Sequence, residues 1–122
     1  MTTLEVGKKL VALCREGKAM QAVQTLYADN IVSVEAMPSP NGGGREHKGR
    51  ETCLKRGQEW EAAHEIHSAG AEGPFPHDER FAVFFHYDVT DKNTKNRMKL
   101  DEVGLYTVKE GKIVREEFFY TM

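Results

Sequence analysis

Apolar positions in the first third of the chain recur with helical spacing. Val6, Leu10, Leu13 and Cys14 form one stripe of a helix over 4–16. Gly17 suits its end, because glycine tolerates a positive φ. Met20, Val23, Leu26 and Tyr27 repeat the stripe over 18–28. The period then drops to two. Ile31, Ser33 and Glu35 alternate with Val32 and Val34, which predicts a short strand. Residues 37–49 hold two prolines and four glycines and predict a loop, either a lid over a binding site or a plain insertion. Cys53, Gly57 and Trp60 mark the buried stripe of a third helix over roughly 50–63.

The rest of the chain reads as strands. They are predicted over 64–72, 80–90, 97–108 and 113–120, with turns at 73–78, 91–96 and 109–112. On the second of these, Phe81, Val83, Phe85, Tyr87 and Val89 share one face. Ala82, Phe84, His86 and Asp88 take the other. Strands of eleven or twelve residues would span roughly 36–40 Å if flat. A 13.8 kDa domain cannot hold them flat, so they must coil around whatever covers one side. The expected fold is α+β: three N-terminal helices packed on a strongly curved, mostly antiparallel sheet. This is a cone-shaped half-barrel with a cavity between sheet and helices.

Length and charge narrow the classes. The 122 residues fit one domain over 1–122. Seventeen basic against nineteen acidic side chains give a net charge of −2, not the basic excess of a nucleic-acid binder. Apolar runs are far shorter than the roughly 20 residues of a membrane span. The start, Met1-Thr2-Thr3-Leu4-Glu5, has no charged head before an apolar stretch, so no signal peptide is expected. Cys14 and Cys53 form no ligand-like pair and read as reduced thiols of a cytoplasmic protein.

Two stretches carry a family resemblance. One is Leu26-Tyr27-Ala28-Asp29-Asn30-Ile31-Val32; the other is Gly111-Lys112-Ile113-Val114-Arg115-Glu116-Glu117-Phe118-Phe119-Tyr120. In this element order, the chain resembles the SnoaL-like branch of the nuclear transport factor 2-like superfamily. The resemblance implies the cone fold and, usually, a homodimer. It leaves function open, because the superfamily holds cyclases, isomerases, hydrolases and adaptors. In its ketosteroid isomerases, the general base lies eight residues after an aromatic that ends the second helix. Here the aromatic is Tyr27 and the eighth position is Glu35. The second isomerase acid maps to Val103, and Asp101 shares that facing two residues away. The isomerase's first-helix tyrosine has no counterpart.

The candidate catalytic set is therefore Glu35, Asp101 and Tyr27. Glu35, desolvated in an apolar cone, would be the base or acid; the bland alternative is a solvated or arginine-paired residue. Asp101 and Glu102 face opposite ways, and the isomerase parity sends Asp101 inward. Candidate ligand-binding residues are Trp60, Phe81, Val83, Phe85, Tyr87, Glu116, Phe118 and Tyr120. The bland reading of the aromatic stripe is core packing, and that of Glu116 a cross-strand ion pair. The five histidines show no metal spacing, so no metal is expected; no cofactor is expected either, because the chemistry asks only for a desolvated carboxylate and a hydrogen-bond donor. His86 is expected on the convex face. The expected partner is a small apolar carbonyl-type molecule, turned over by an isomerase, cyclase or hydrolase using a buried carboxylate. The alternatives are a binding protein without turnover, or a dimeric adaptor working through Phe84 and His86.

Overall fold

The computed structural model describes residues 1–39 and 42–120. Pro40 and Asn41 of the expected loop, and Thr121 and Met122, lie outside the described residues. Three helices come first: α1 (Thr3–Arg15), α2 (Ala19–Leu26) and α3 (Arg50–Ala63). Six strands form one sheet: β1 (Tyr27–Val34), β2 (Glu46–Lys48), β3 (His64–His77), β4 (Arg80–Asp91), β5 (Arg97–Lys109) and β6 (Lys112–Phe119). Their spatial order is β2-β1-β6-β5-β4-β3. Only the β1–β6 pair among them is parallel. The sheet is mixed and does not close on itself.

Local chemistry sets the element ends. Thr2 and Glu5 form a capping box at the start of α1. Gly17 ends it with φ +74°, as glycine permits. Glu110 and Gly111, at φ +53° and +76°, make the two-residue turn between β5 and β6.

The core lies between the helices and the inner face of the sheet. Val6, Leu10 and Val11 of α1 and Ala22, Val23 and Leu26 of α2 meet Ile31, Phe81, Val83, Phe85, Tyr106 and Ile113. Gly7 lets α1 approach the sheet, since a Cβ there would stand 2.8 Å from Pro74 Cβ and 3.3 Å from Phe81 Cδ2. Gly7→Ala should therefore destabilise the fold by about 1–2 kcal/mol through overpacking, despite alanine's better helix propensity. Urea unfolding checks this; an unchanged midpoint would mean α1 shifts freely.

Two expected boundaries differ. The Gly73-Pro74-Phe75-Pro76 stretch is not a turn but part of β3, with a register shift between Glu72 and Phe75. β3 is an edge strand, where a proline's missing N–H need not break a ladder. The actual turn is Asp78-Glu79. The expected loop 37–49 also contains β2, which pairs with β1 through Val32↔Lys48, Ser33↔His47 and Val34↔Glu46.

Candidate active site

Strand parity decides what enters the cone. On β4, Phe81, Val83 and Phe85 are buried, so their directly paired partners Tyr106, Gly104 and Glu102 on β5 share the inner face. On β6, Glu116 pairs with Tyr106, and Phe118 with Gly104. On β1, Ser33 pairs with Glu116 on one side and His47 of β2 on the other. One row thus runs His47–Ser33–Glu116–Tyr106–Phe81 across five strands.

Glu116 is the centre of this row and is 5% exposed. The Tyr27 hydroxyl donates to its Oε1. The Ser33 hydroxyl donates to its Oε2 at 2.7 Å. Burial pushes the Glu116 carboxyl up to about 7, against these two bonds, and the Glu35 charge adds to the rise. Glu102 is likewise raised to about 7, chiefly by burial and then by Glu35 and Glu116. The Tyr27 phenol is held well above its ordinary range by burial and by Glu116.

Glu35 stands just beyond β1 at the mouth. Its Oε2 accepts from the Tyr120 hydroxyl at 3.2 Å, and its Oε1 lies 3.7 Å from Arg56 Nη2. Burial and then the Glu35 charge push the Tyr120 phenol up to about 12. Arg56 comes from α3, three residues after the buried Cys53. His47 projects from β2 toward the same group. Its Nε2 is shut off from solvent and has no hydrogen-bond partner. Burial first, then the Arg56 charge, hold this imidazole below its ordinary pKa; Glu35 opposes them. An orphaned polar atom of this kind costs on the order of 1–3 kcal/mol in a native protein. An open depression of about 440 Å³ borders this end, lined by Ala36, Arg45, Asp101, Phe118, Phe119 and Tyr120.

The structure therefore brings Glu35, Tyr27, Glu116 and Tyr120 to one end of the cone. It does not bring Asp101 inside. Asp101 is exposed on the convex face, where its Oδ1 lies 2.8 Å from His86 Nδ1, because it pairs with outward-facing His86. The inward position belongs to Glu102. Phe81 and Val83 are sealed in the core, whereas Phe118 is half-buried and meets Tyr106 edge-on at 6.2 Å. Trp60, one helical turn from Arg56, stacks on His64 at 4.4 Å and tilts against Tyr87 at 5.7 Å; Tyr87 lies two residues along β4 from Phe85, the partner of Glu102. Glu116 is no cross-strand ion pair; hydroxyls hold it. Ser33, His47 and Arg56 complete the group and are not among the site residues expected from sequence, whereas Glu102 takes the inward place that the expected parity gave to Asp101. Alternation with Ile31 and Glu35 marks Ser33, and helical spacing from Cys53 marks Arg56. Nothing in its loop marks His47.

Cys14 and Cys53 are free thiols, both raised to about 12, chiefly by burial. They are not nucleophiles. No helix among the described residues is long and apolar enough to cross a membrane.

A six-stranded coiled sheet wrapped by three helices, with acids lining its inner face, defines a cone-fold domain of the nuclear transport factor 2-like type. The SnoaL-like domain family model matches residues 1–120, and the chain belongs to that family. It is similar over 98% of its length to a candidate SnoaL-like polyketide cyclase from Mesorhizobium loti, with 41% identity, TM-score 0.91 and all of that chain covered. A candidate isomerase from Bacillus subtilis shares the fold at 15% identity and TM-score 0.77, covering 99% of this chain and 90% of that one. So does a protein with a ketosteroid isomerase-like fold from Catenulispora acidiphila in complex with trimethylamine, at 17% identity and TM-score 0.72, covering 99% and 88%. No curated protein matches the chain.

Proposed function

We propose that this SnoaL-like domain binds a small, largely apolar molecule in the cone and transfers a proton to or from it. The observation carrying this reading is Glu116: a carboxyl buried against apolar neighbours, held by two hydroxyls and raised to about 7. A group poised there exchanges protons efficiently at neutral pH. Glu102, raised in the same way, supplies a second carboxyl, so one can hold a proton while the other takes one. Glu35 and Tyr120 form the polar mouth, and Tyr27 and Ser33 stabilise charge on Glu116. This chemistry uses side chains alone.

Carbon-13 titration of the side-chain carboxyls tests it, with Glu116→Gln and Glu102→Gln for assignment. The pair should show apparent midpoints near 7. Midpoints near the ordinary carboxyl value would remove the basis for proton transfer.

A dimer through the convex face accompanies this reading. Phe84 and Phe119 are 43% and 51% exposed there, and both pair with Val103. Phe75 adds a third ring, 6.0 Å from Phe84. Such a patch is costly to leave in water. Sedimentation should show a dimer at micromolar concentration, and Phe84→Glu should give monomer. A monomeric wild-type protein would refute the dimer.

A further inference from the structure

The depression at the end of the cone belongs to both faces of the sheet. Phe118 and Tyr120 reach it from the inner face, and Phe119 and Asp101 from the outer one. Successive strand residues point opposite ways, so a hollow lined by Phe118, Phe119 and Tyr120 wraps around the end of β6. Among the described residues, the β5–β6 pairing stops at Val103↔Phe119, and Asp101 lies two residues further along β5. The outer side of the hollow is therefore open.

The two outer residues are also part of the exposed face. Phe119 shares a row with Val103 and Phe84, and Asp101 lies beside His86. All three helices pack on the inner face, so nothing among the described residues covers the outer one.

A second copy of the chain suits this face in area and in charge. Strands β3–β6 at roughly 4.8 Å spacing, with the 12 and 13 residues of β4 and β5 at roughly 3.3 Å each, make a surface of roughly 19 by 40 Å. That is about 760 Å², near the roughly 800 Å² that each partner buries in a standard interface. Several charges are already paired within the face: Arg97 with Asp88 at 2.9 Å, Arg115 with Glu117 at 2.8 Å, and His86 with Asp101 at 2.8 Å. Strand facing adds Lys48, Arg80 and Lys99 against Glu46, Glu65 and Glu72, three of each sign. A face with nearly equal charge of both signs does not repel its own copy, and its apolar centre favours burial.

We propose that a second copy of this chain, docked on the outer face, forms the missing outer wall of the depression, so that ligand and dimer strengthen one another. The partner lying over Phe119 and Asp101 turns an open hollow into an enclosed one. This rests on the small-molecule and dimer readings above and joins them into one site. Such coupling is reciprocal: what the dimer adds to ligand affinity, the ligand returns to the dimer, once for each of its two sites.

Cyclohexanone, a neutral apolar ketone, is the probe, because the charged lining residues of the depression, Arg45 and Asp101, are of opposite sign. Tyr120 ring proton shifts give its affinity below and above the dimer dissociation constant. Sedimentation equilibrium gives that constant with and without saturating probe. Affinity should be roughly threefold tighter in the dimer, and the dimer roughly tenfold tighter with both sites filled, about the square of the first factor. Phe84 lies on the outer face but does not line the depression. Phe84→Glu should therefore show the affinity of dilute wild type at every protein concentration. The wild-type comparison needs no variant, so it stands even if Phe84→Glu misfolds. A dimer whose probe affinity ignores assembly would overturn the shared wall and leave both earlier readings intact. A monomer at every concentration would overturn the shared wall together with the dimer. Shifts at Tyr87 and Trp60 with none at Tyr120 would overturn the shared wall and leave the small-molecule reading standing. No shift anywhere would overturn that reading as well.

Discussion

Glu116→Gln is expected to make the protein more stable at pH 8 while abolishing proton transfer. The glutamine has nearly the same shape. Its carbonyl can accept from Tyr27 and its amide can donate to Ser33. It carries no charge to desolvate. The native carboxyl is raised from 4.5 to about 7. Below 4.5 both folded and unfolded chains hold the proton, and the group costs nothing. Between those values the unfolded chain ionises first, so stability falls as pH rises; above about 7 the full penalty remains. That penalty is on the order of 2–3 kcal/mol, or about 10 °C in Tm. Thermal unfolding from pH 4 to 8 should show wild type losing stability across that window and the variant losing roughly half as much, because Glu102, also raised to about 7, still ionises there. Parallel curves would show that Glu116 ionises without strain. A residue kept at such a cost points to function rather than to folding.

Tyr106→Ala is expected to have the largest effect on stability. Tyr106 is 2% exposed and joins both halves of the inner face. Its ring stacks on Phe81 at 5.0 Å and meets Phe85 and Phe118 edge-on at 6.5 and 6.2 Å. Gly104 is packed beneath it, where a Cβ would stand 2.8 Å from the ring. Removing the ring opens a cavity that these neighbours cannot collapse to fill, a loss of about 3–5 kcal/mol. Tyr106→Phe keeps the ring and should lose far less. The urea midpoints of the two variants check this. Similar midpoints would mean that the hydroxyl, not the ring, matters.

α1 and α2 were legible because their apolar stripes are regular; α3 spans Arg50–Ala63, within the expected bounds, although of its expected stripe Cys53 alone is buried. The coiled sheet followed from strand lengths alone. The Gly73–Pro76 segment was not legible as strand. Prolines signal turns locally, and only the sheet order reveals an edge that tolerates them. Asp101 and Glu102 show a different limit. Facing follows from register, and a one-residue slip exchanges the two faces. The six-residue connection 91–96 does not determine that register; the observed pairing Phe85↔Glu102 does. Glu116 was legible as inward but not as the centre. Its partners, Tyr27 and Ser33, come from β1, and sequence spacing does not show that β1 lies beside β6.

That parallel neighbourhood also dictates when the site can exist. Glu116 takes its two bonds from residues 89 and 83 positions earlier in the chain. β6 inserts between β1 and β5, so the first strand has no long partner until the last one arrives. Closing so long a loop is slow relative to helix formation. A ribosome-bound chain can form α1, α2 and α3 early, yet Glu116 stays without its two hydroxyl partners until the final strand emerges. The hydroxyl-bound Glu116 group is thus a completion marker of folding, present only in molecules whose sheet is whole.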